Sequence, residues 1–329
     1  FDVCFPTEAK VPTWDPMRKP KGETGGTWWD PAADPREAED FGTRYWDERG
    51  EAVTENLSGD DSRVIMDRPF PFIERAAKQK KPFLAVIWFH APHLPVVAGP
   101  QYTALYAGHP KHHRHYYGCV TAMDEQVGRL RQELARLGVA DDTMLWFCAD
   151  NGPEGSAKFP GSAGPFRGRK RSLHEGGVRV PGVLVWPARV RPGSVTDFPA
   201  VTSDYLPTVL AALGVRYPDD RPLDGIDLLP VIDGRVKERD RPIGFQTRDA
   251  VSWVTQRYKL IGPADGEHAR KKPKRADAPR EWMLFDLLKD PGETADLAAK
   301  HPEIVEQMKS ELAAWRESCA RSDRGEDYK

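Results

Sequence analysis

The apolar residues of the chain fall into two long runs with an amphipathic segment between them. Residues 83–89 and 143–149 are almost continuously apolar, a pattern typical of strands buried on both faces of a sheet. Between them, apolar residues recur at helical spacing and stop before a glycine: Met123, Val127, Leu130, Leu134, Leu137, then Gly138. The order strand, helix, strand predicts a parallel crossover. The sequence therefore predicts an α/β core.

Shorter patterns extend this core and then change in character. A third strand is expected at residues 182–186 and a second helix at residues 205–213. Beyond residue 236, short alternating runs predict antiparallel strands, and a closing helix follows them. We therefore expect a main domain over residues 1–235 and a C-terminal subdomain over residues 236–329.

Composition and charge limit the classes of function. Of the 329 residues, 39% are hydrophobic, which is enough for a sizeable core. The 48 basic and 50 acidic residues nearly cancel, so we expect no nucleic-acid partner. No apolar stretch approaches the ~20 residues of a membrane span. The 4 cysteines are too few for a disulfide framework, and Cys4 and Cys319 could pair or remain free.

Polar side chains follow both apolar runs, at the ends of strands where ligands gather in open parallel sheets. His90 and His93 come after the first run, and imidazoles at such a position can serve as acid, base or anion contact. Asp150 and Asn151 follow the second run and offer hard oxygen ligands suited to Ca²⁺ or Mg²⁺. Taken singly, each histidine is more often structural, and an Asp-Asn pair is more often an ordinary turn.

A cationic segment leads into the third strand. It spans residues 166–181 and carries Arg167, Arg169 and Lys170 ahead of a glycine pair. A bound sulfate or phosphate needs such donors. One of the two arginines could support the loop by pairing with acidic residues instead of contacting a substrate, and the sequence does not decide between these two roles.

In their order along the chain and in their residues, these segments resemble those of the type I sulfatases of the alkaline phosphatase superfamily. The resemblance spans nearly the whole chain, and further segments that support it are Met123-Asp124, Asp204-Tyr205-Leu206-Pro207-Thr208, Tyr258-Lys259-Leu260 and Leu284-Phe285-Asp286-Leu287. It implies a central mixed, largely parallel sheet flanked by helices, with a small C-terminal α+β subdomain. It also implies hydrolysis of sulfate esters, with a sulfated carbohydrate or an aryl sulfate as the substrate.

The resemblance also implies roles for individual residues. Asp150 and Asn151 match two ligands of a divalent metal, most often Ca²⁺, with Mg²⁺ as the alternative. Lys170 matches the cation that contacts both sulfate and nucleophile, and His93 matches the histidine at the sulfate and the leaving group. Further candidates for substrate contact are His90, Arg167 and Arg169.

The nucleophile implied by the resemblance is a formylglycine, made from the Cys or Ser of a Cys/Ser-x-Pro-x-Arg motif. Cys4-Phe5-Pro6 has the spacing of that motif but carries Glu8 in place of the arginine. We therefore expect the nucleophile, the acidic pair that completes the metal site and the early sulfate contacts to lie upstream of Phe1 or in a complementary N-terminal fragment. The 329 residues alone are then expected to be inactive.

Two other functions stay open on the sequence alone. A phosphoesterase of the same superfamily would use a similar pocket, and a catalytically incomplete remnant could still bind sulfated glycans. The resemblance further implies a location outside the cytoplasm, in the periplasm, the lysosome or secretions. The first residues do not have the pattern of a signal peptide.

Overall fold

The computed structural model describes residues 1–24, 26–156, 158–217, 221–264 and 279–327. By contacts, the chain divides into two units, Phe1–Thr143 and Met144–Lys329. The predicted boundary between residues 235 and 236 stays a prediction. No helix within the described ranges is long and apolar enough to cross a bilayer. The cysteines Cys4 and Cys319, for which pairing was an open question, are both free thiols.

The regular elements of the first unit are mainly helices. In its described part, one antiparallel strand pair and a set of helices follow one another: β1 Arg18–Pro20, β2 Ala38–Asp40, α1 Asp61–Met66, α2 Pro69–Lys78, α3 Pro100–Ala104 and α4 Lys111–Arg136. Helix α4 contains the predicted helix and begins earlier than the apolar pattern suggested. It stops before Gly138, whose φ of +70° is the left-handed conformation that glycine adopts without strain.

Close packing in this unit depends on a glycine within α4. A Cβ added at Gly118 would lie 2.9 Å from the Cβ of Ala98 and 3.1 Å from the Cβ of Tyr102. Ala98 and Cys119 belong to a buried apolar cluster beside this contact. The missing side chain thus allows α3 and the segment before it to approach the long helix.

Residues 83–89 differ from the prediction of a strand buried on both faces. Within the described chain this run forms no hydrogen-bonded ladder. Leu84, Val86 and Trp88 are 66%, 54% and 83% exposed, whereas Ile87 packs against a buried apolar cluster. The side chains therefore alternate with the period of a strand, but only one face is covered. An apolar run does not encode whether both faces find a partner, so the two-sided interpretation was wrong here.

The second unit contains the other strands and helices. Its described elements are β3 Leu145–Cys148, α5 Glu175–Val178, β4 Gly182–Val185, α6 Tyr205–Leu213, α7 Leu229–Ile232, β5 Ile243–Gln246, β6 Ala250–Val254, β7 Tyr258–Pro263, β8 Met283–Asp286 and α8 Pro302–Asp323. The predicted third strand, second helix, terminal hairpin and closing helix are confirmed. Strand β3 pairs with β4, and the last four strands form a sheet in the order β5-β6-β7-β8. Every pairing among the described strands is antiparallel, so the expected parallel crossover is not found there.

The four-stranded sheet is covered on both faces. Leu260 of β7 projects toward α8 and shares an apolar cluster with Met308 and Leu312. Ile261, the next residue, projects from the opposite face and shares a second cluster with Leu173 of the cationic segment. Successive residues of a strand point to opposite faces, so β7 contacts α8 and the cationic segment at once. The cationic segment therefore rests on the sheet.

Asp60 is a buried carboxyl at the start of α1. Its Oδ1 accepts a hydrogen bond of 2.9 Å from the backbone N–H of Arg63, which caps the helix. Its Oδ2 is buried and has no hydrogen-bond partner in the described part of the chain. Burial raises the pKa of Asp60 to about 7. The charged form of this carboxyl therefore destabilises the fold near neutral pH.

We expect Asp60→Asn to flatten the pH dependence of stability, because the amide keeps the helix cap and removes the buried charge. The raised pKa means that protonated Asp60 stabilises the native state at low pH, and that this stabilisation is lost as pH rises toward 7. Between pH 5 and pH 8 the wild-type free energy of unfolding should fall by about 2–3 kcal/mol more than that of the variant. Urea unfolding at the two pH values measures this. Equal changes in both proteins would contradict the assignment.

Candidate functional site

The Asp150-Asn151 turn follows β3 directly and is fixed by a glycine. The backbone N–H of Gly152 donates a hydrogen bond of 2.9 Å to the carbonyl of Gly177. A Cβ at Gly152 would lie 1.9 Å from the carbonyl oxygen of Gly176, so this position has no room for a side chain. The backbone of the turn therefore lies against the backbone of the glycine pair Gly176-Gly177 in the cationic segment.

Lys170 is brought to the same turn by a second backbone contact. Its N–H donates a hydrogen bond of 3.1 Å to the carbonyl of Pro153, and its side chain is 18% exposed. The Lys170 Nζ lies 3.7 Å from Oε2 of Glu154, whose Oε1 accepts a hydrogen bond of 2.7 Å from Arg171. That hydrogen bond, joined by the charges of both cations, holds the pKa of Glu154 below its usual range. Asp150, Asn151 and Lys170 thus lie on two segments, the turn and the loop, that are joined by backbone hydrogen bonds.

The two arginines beside Lys170 are bonded to backbone carbonyls. Arg169 donates to the carbonyls of Glu154 and Gly161 at 2.9 and 2.7 Å. Arg167 donates to the carbonyl of Glu293 at 3.3 Å. These contacts brace the part of the loop that precedes Lys170. The predicted contact of either arginine with a substrate stays a prediction.

A buried ion cluster anchors the other end of the cationic segment to the sheet. Nζ of Lys259 lies 3.0 Å from Oε1 of Glu175 and 3.0 Å from Oε1 of Glu293, and the Lys259 side chain is fully buried. Oε2 of Glu293 accepts a hydrogen bond of 2.6 Å from the N–H of Glu175, the first residue of α5. His174 adds a ring nitrogen 3.4 Å from the same oxygen. The segment is thus held at residues 174 and 175.

The cluster of Lys259, Glu175 and Glu293 keeps charged side chains in a buried environment, which by itself disfavours the charged form. Burial alone raises the pKa of Glu293, but the His174 ring, the Lys259 ammonium and the Glu175 amide outweigh it, so that the pKa lies below its usual range. Removing one partner of a buried ion pair typically costs about 3–5 kcal/mol, because the other charge is left uncompensated. Each of the three charged residues therefore depends on the other two.

Sequence reasoning missed Lys259 and Glu293 as parts of this region. The available signal was the position of Lys259 two residues before Ile261, on the same face of an apolar strand, because a buried lysine needs a carboxylate partner. The sequence cannot name the partner, since Glu175 lies 84 residues away.

His90 and His93 lie in the first unit, in a turn closed by a hydrogen bond of 2.6 Å from the N–H of His93 to the carbonyl of His90. Nδ1 of His90 lies 2.9 Å from the buried carboxylate of Asp61, and its Nε2 lies 3.1 Å from Oγ1 of Thr7. The hydroxyl of Tyr45 contacts both Asp61 and His90. Both ring nitrogens of His90 are thus engaged within the protein, and substrate contact by this residue stays a prediction.

His93 is exposed, and its ring contacts a neighbouring backbone carbonyl. Nδ1 lies 2.7 Å from the carbonyl oxygen of Leu94. A carbonyl only accepts hydrogen bonds, so Nδ1 carries a proton and donates it. Proton transfer to a bound group would therefore use Nε2.

The donor types of Asp150 and Asn151 fit a hard divalent cation. The amide Nδ2 of Asn151 donates a hydrogen bond of 2.7 Å to Oδ1 of Asp150, so the two side chains already converge. Ca²⁺ takes about 6–8 oxygen ligands, more than this pair supplies. Within the residues that the structure describes, no group of three or more His, Cys, Asp or Glu side chains is suited to hold a metal. These residues therefore fit part of a metal site.

Comparison with known proteins gives two family matches. A family model described as Sulfatase matches residues 24–215, and one described as N-sulphoglucosamine sulphohydrolase, C-terminal, matches residues 164–318. Steryl-sulfatase of Mus musculus is 31% identical over 286 residues, which cover 78% of this chain and 44% of that protein. Arylsulfatase G of Rattus norvegicus is 33% identical over 275 residues, which cover 77% of this chain and 50% of that protein. The chain thus spans about half the length of these curated relatives.

Solved structures show the same fold. Ps i-CgsB, solved in complex with k-i-k-neocarrahexaose, matches with a TM-score of 0.71 and 25% identity over 83% of this chain and 57% of that chain. A second protein, solved with its substrate D-glucosamine-2-N,6-O-disulfate, matches with a TM-score of 0.65 and 18% identity over 97% of this chain and 80% of that chain. The predicted alkaline phosphatase-like α/β class is confirmed. Because a sulfatase model matches more than half of the chain, this protein belongs to the sulfatase family.

Proposed function

We propose that the complete protein hydrolyses sulfate esters and that its substrate is a sulfated carbohydrate. Membership of the sulfatase family supports the reaction class, and no observation favours the phosphoesterase alternative. The relatives include a protein named N-acetylgalactosamine-6-sulfatase, which supports the carbohydrate substrate. Export from the cytoplasm, as implied by the resemblance to type I sulfatases, is part of the proposal.

One observation carries the proposal most directly, namely that the Asp150-Asn151 turn and the Lys170 loop are joined backbone to backbone. The hydrogen bonds from Gly152 to Gly177 and from Lys170 to Pro153 fix oxygen ligands and a cation in one assembly. A sulfate ester needs both kinds of group, because negative charge on its oxygens must be neutralised as the S–O bond breaks.

Asp150 and Asn151 are proposed to supply two oxygen ligands for a divalent cation; their hardness suits Ca²⁺ and Mg²⁺ alike, and the resemblance favours Ca²⁺. When bound, the cation would draw electron density from the sulfate oxygens. Lys170 is proposed to face the same oxygens with its ammonium group. Arg167 and Arg169 are proposed to support the loop, since their guanidinium groups donate to backbone carbonyls.

His93 is proposed to protonate the departing alcohol. Its Nδ1–H donates to the Leu94 carbonyl, which orients the ring and leaves Nε2 to carry the transferred proton. His90 is proposed to set the position of the turn through its contacts with Asp61 and Thr7. Formylglycine is proposed as the nucleophile, as the resemblance implies.

We expect the complete protein to release sulfate from 4-nitrophenyl sulfate and from sulfated sugars, with far less activity on 4-nitrophenyl phosphate. Lys170→Ala should lower kcat/KM about 10²–10³-fold, because one preorganised charge at the sulfate oxygens is lost. The matched control is Lys300→Ala, which removes an exposed lysine of the same unit and should leave the rate unchanged. Faster hydrolysis of the phosphate ester would contradict a sulfatase, and an unchanged rate in Lys170→Ala would contradict the role of Lys170.

We expect the effect of His93→Gln to depend on the leaving group. An alkyl alcohol leaves poorly without a proton, so loss of the acid should cost about 10²–10⁴-fold on a sugar sulfate. A 4-nitrophenolate leaves without protonation, so 4-nitrophenyl sulfate should be hydrolysed at a rate much closer to that of the wild type. His109→Gln, at an exposed histidine of the same unit, serves as the control. Equal losses on both substrates would show that His93 does not act as the proton donor.

A further inference from the structure

The buried cluster of Lys259, Glu175 and Glu293 lies a short path from Lys170. Glu175 is followed by Gly176, whose N–H donates a hydrogen bond of 2.6 Å to the carbonyl of Arg167. A Cβ at Gly176 would lie 2.3 Å from the carbonyl oxygen of Gly168, so the backbone of the loop around Gly176 is in direct contact with its backbone around Gly168. A shift of Glu175 therefore moves the backbone that precedes Lys170.

The same path continues on the other side of Lys170. A Cβ at Gly177 would lie 2.1 Å from the carbonyl oxygen of Ser172 and 2.6 Å from that of Arg169. The N–H of Ser172 donates a hydrogen bond of 2.9 Å to the carbonyl of Arg169, which closes a turn around Lys170. Residues on both sides of the lysine are thus seated on the glycine pair that Glu175 anchors.

Glu293 reaches the cluster from a turn that is itself built to present it. Its φ of +55° is a left-handed conformation that few non-glycine residues adopt. The turn is closed by a hydrogen bond of 3.1 Å from the N–H of Glu293 to the carbonyl of Asp290. Oδ2 of Asp290 accepts from the N–H groups of Thr294 and Ala295 at 2.7 and 2.9 Å. A glycine would fit this backbone without strain. The presence of glutamate is therefore explained by the contacts that its carboxylate makes.

From these contacts we propose that Glu293 is a positioning residue for Lys170, acting through Glu175 and Lys259. The inference rests on the proposed function, because it explains the cluster by its effect on the position of Lys170, the lysine proposed to face sulfate. The sheet β5-β6-β7-β8 then serves as the platform that holds the lysine loop, with Lys259 as the point of attachment.

The chain offers a matched control within the same unit. Arg239 and Asp204 form another buried pair, with NH1 2.8 Å from Oδ2 and both side chains fully buried. In the described chain, no hydrogen bond of either residue reaches residues 150–181. Glu293→Gln and Asp204→Asn therefore each remove one buried carboxylate charge at nearly constant volume, and only the first does so beneath the loop.

The first test measures amide hydrogen exchange in the complete protein by mass spectrometry, without any ligand. Peptides covering residues 166–181 should exchange about tenfold faster or more in Glu293→Gln, because local opening of the loop becomes easier. The same peptides should be unchanged in Asp204→Asn. Equal protection in Glu293→Gln and wild type, or equal acceleration in both variants, would overturn the proposal.

The second test asks whether Glu293 acts through Lys170 during hydrolysis of 4-nitrophenyl sulfate. Glu293→Gln should lower kcat/KM in the wild-type background, but it should cause little further loss in the Lys170→Ala background. A merely structural role would lower both backgrounds by the same factor, and that result would overturn the proposal. If the complete protein hydrolyses no sulfate ester, the proposed function fails, and hydrogen exchange still decides whether Glu293 positions the loop.

Discussion

The second unit depends on one buried cation. Lys259 lies within an apolar sheet, and its charge is tolerated there only because Glu175 and Glu293 lie on either side of it at 3.0 Å. Those carboxylates come from the cationic segment and from the turn after β8, so a single ammonium group ties three distant stretches together. Packing of Leu173 on the same face of the sheet adds the apolar part of the attachment. The position of Lys170 follows from these contacts.

Glycines transmit this constraint to the residues for which chemical roles are proposed. Gly176 and Gly177 bring the end of the segment into backbone contact with its beginning, and Gly152 brings the Asp150-Asn151 turn onto the same pair. Backbone contacts of this kind are stiff, because no side-chain rotamer intervenes to absorb a displacement. Lys170 and the proposed metal ligands Asp150 and Asn151 are thereby held by backbone contacts between the turn and the loop. Such preorganisation is what the proposed charge stabilisation on sulfate requires.

The sequence allowed more of the fold to be predicted than of the site. Helix α4, the strand β4 and the terminal helix α8 follow from periodicity and stop signals, and the structure confirms them. The run 83–89 was misjudged because apolarity reports what a residue prefers and not which neighbours are present. Asp150, Asn151 and Lys170 were proposed from motifs local in sequence, and their roles stay a prediction. The Lys259 cluster was not, because its partners are joined only by folding, across separations that no spacing encodes.

The most direct test of this account is the activity of Gly152→Ala in the complete protein, compared with Gly182→Ala. A Cβ at Gly152 would collide with the Gly176 carbonyl at 1.9 Å, whereas nothing lies within 4 Å of a Cβ at Gly182. We expect the folded Gly152→Ala variant to hydrolyse 4-nitrophenyl sulfate about 10²-fold more slowly, because a shift of the turn near 1 Å misplaces it against Lys170. Gly182→Ala should keep the wild-type rate. A folded Gly152→Ala variant with full activity would contradict the claim that the turn and the loop, joined by backbone hydrogen bonds, form the site.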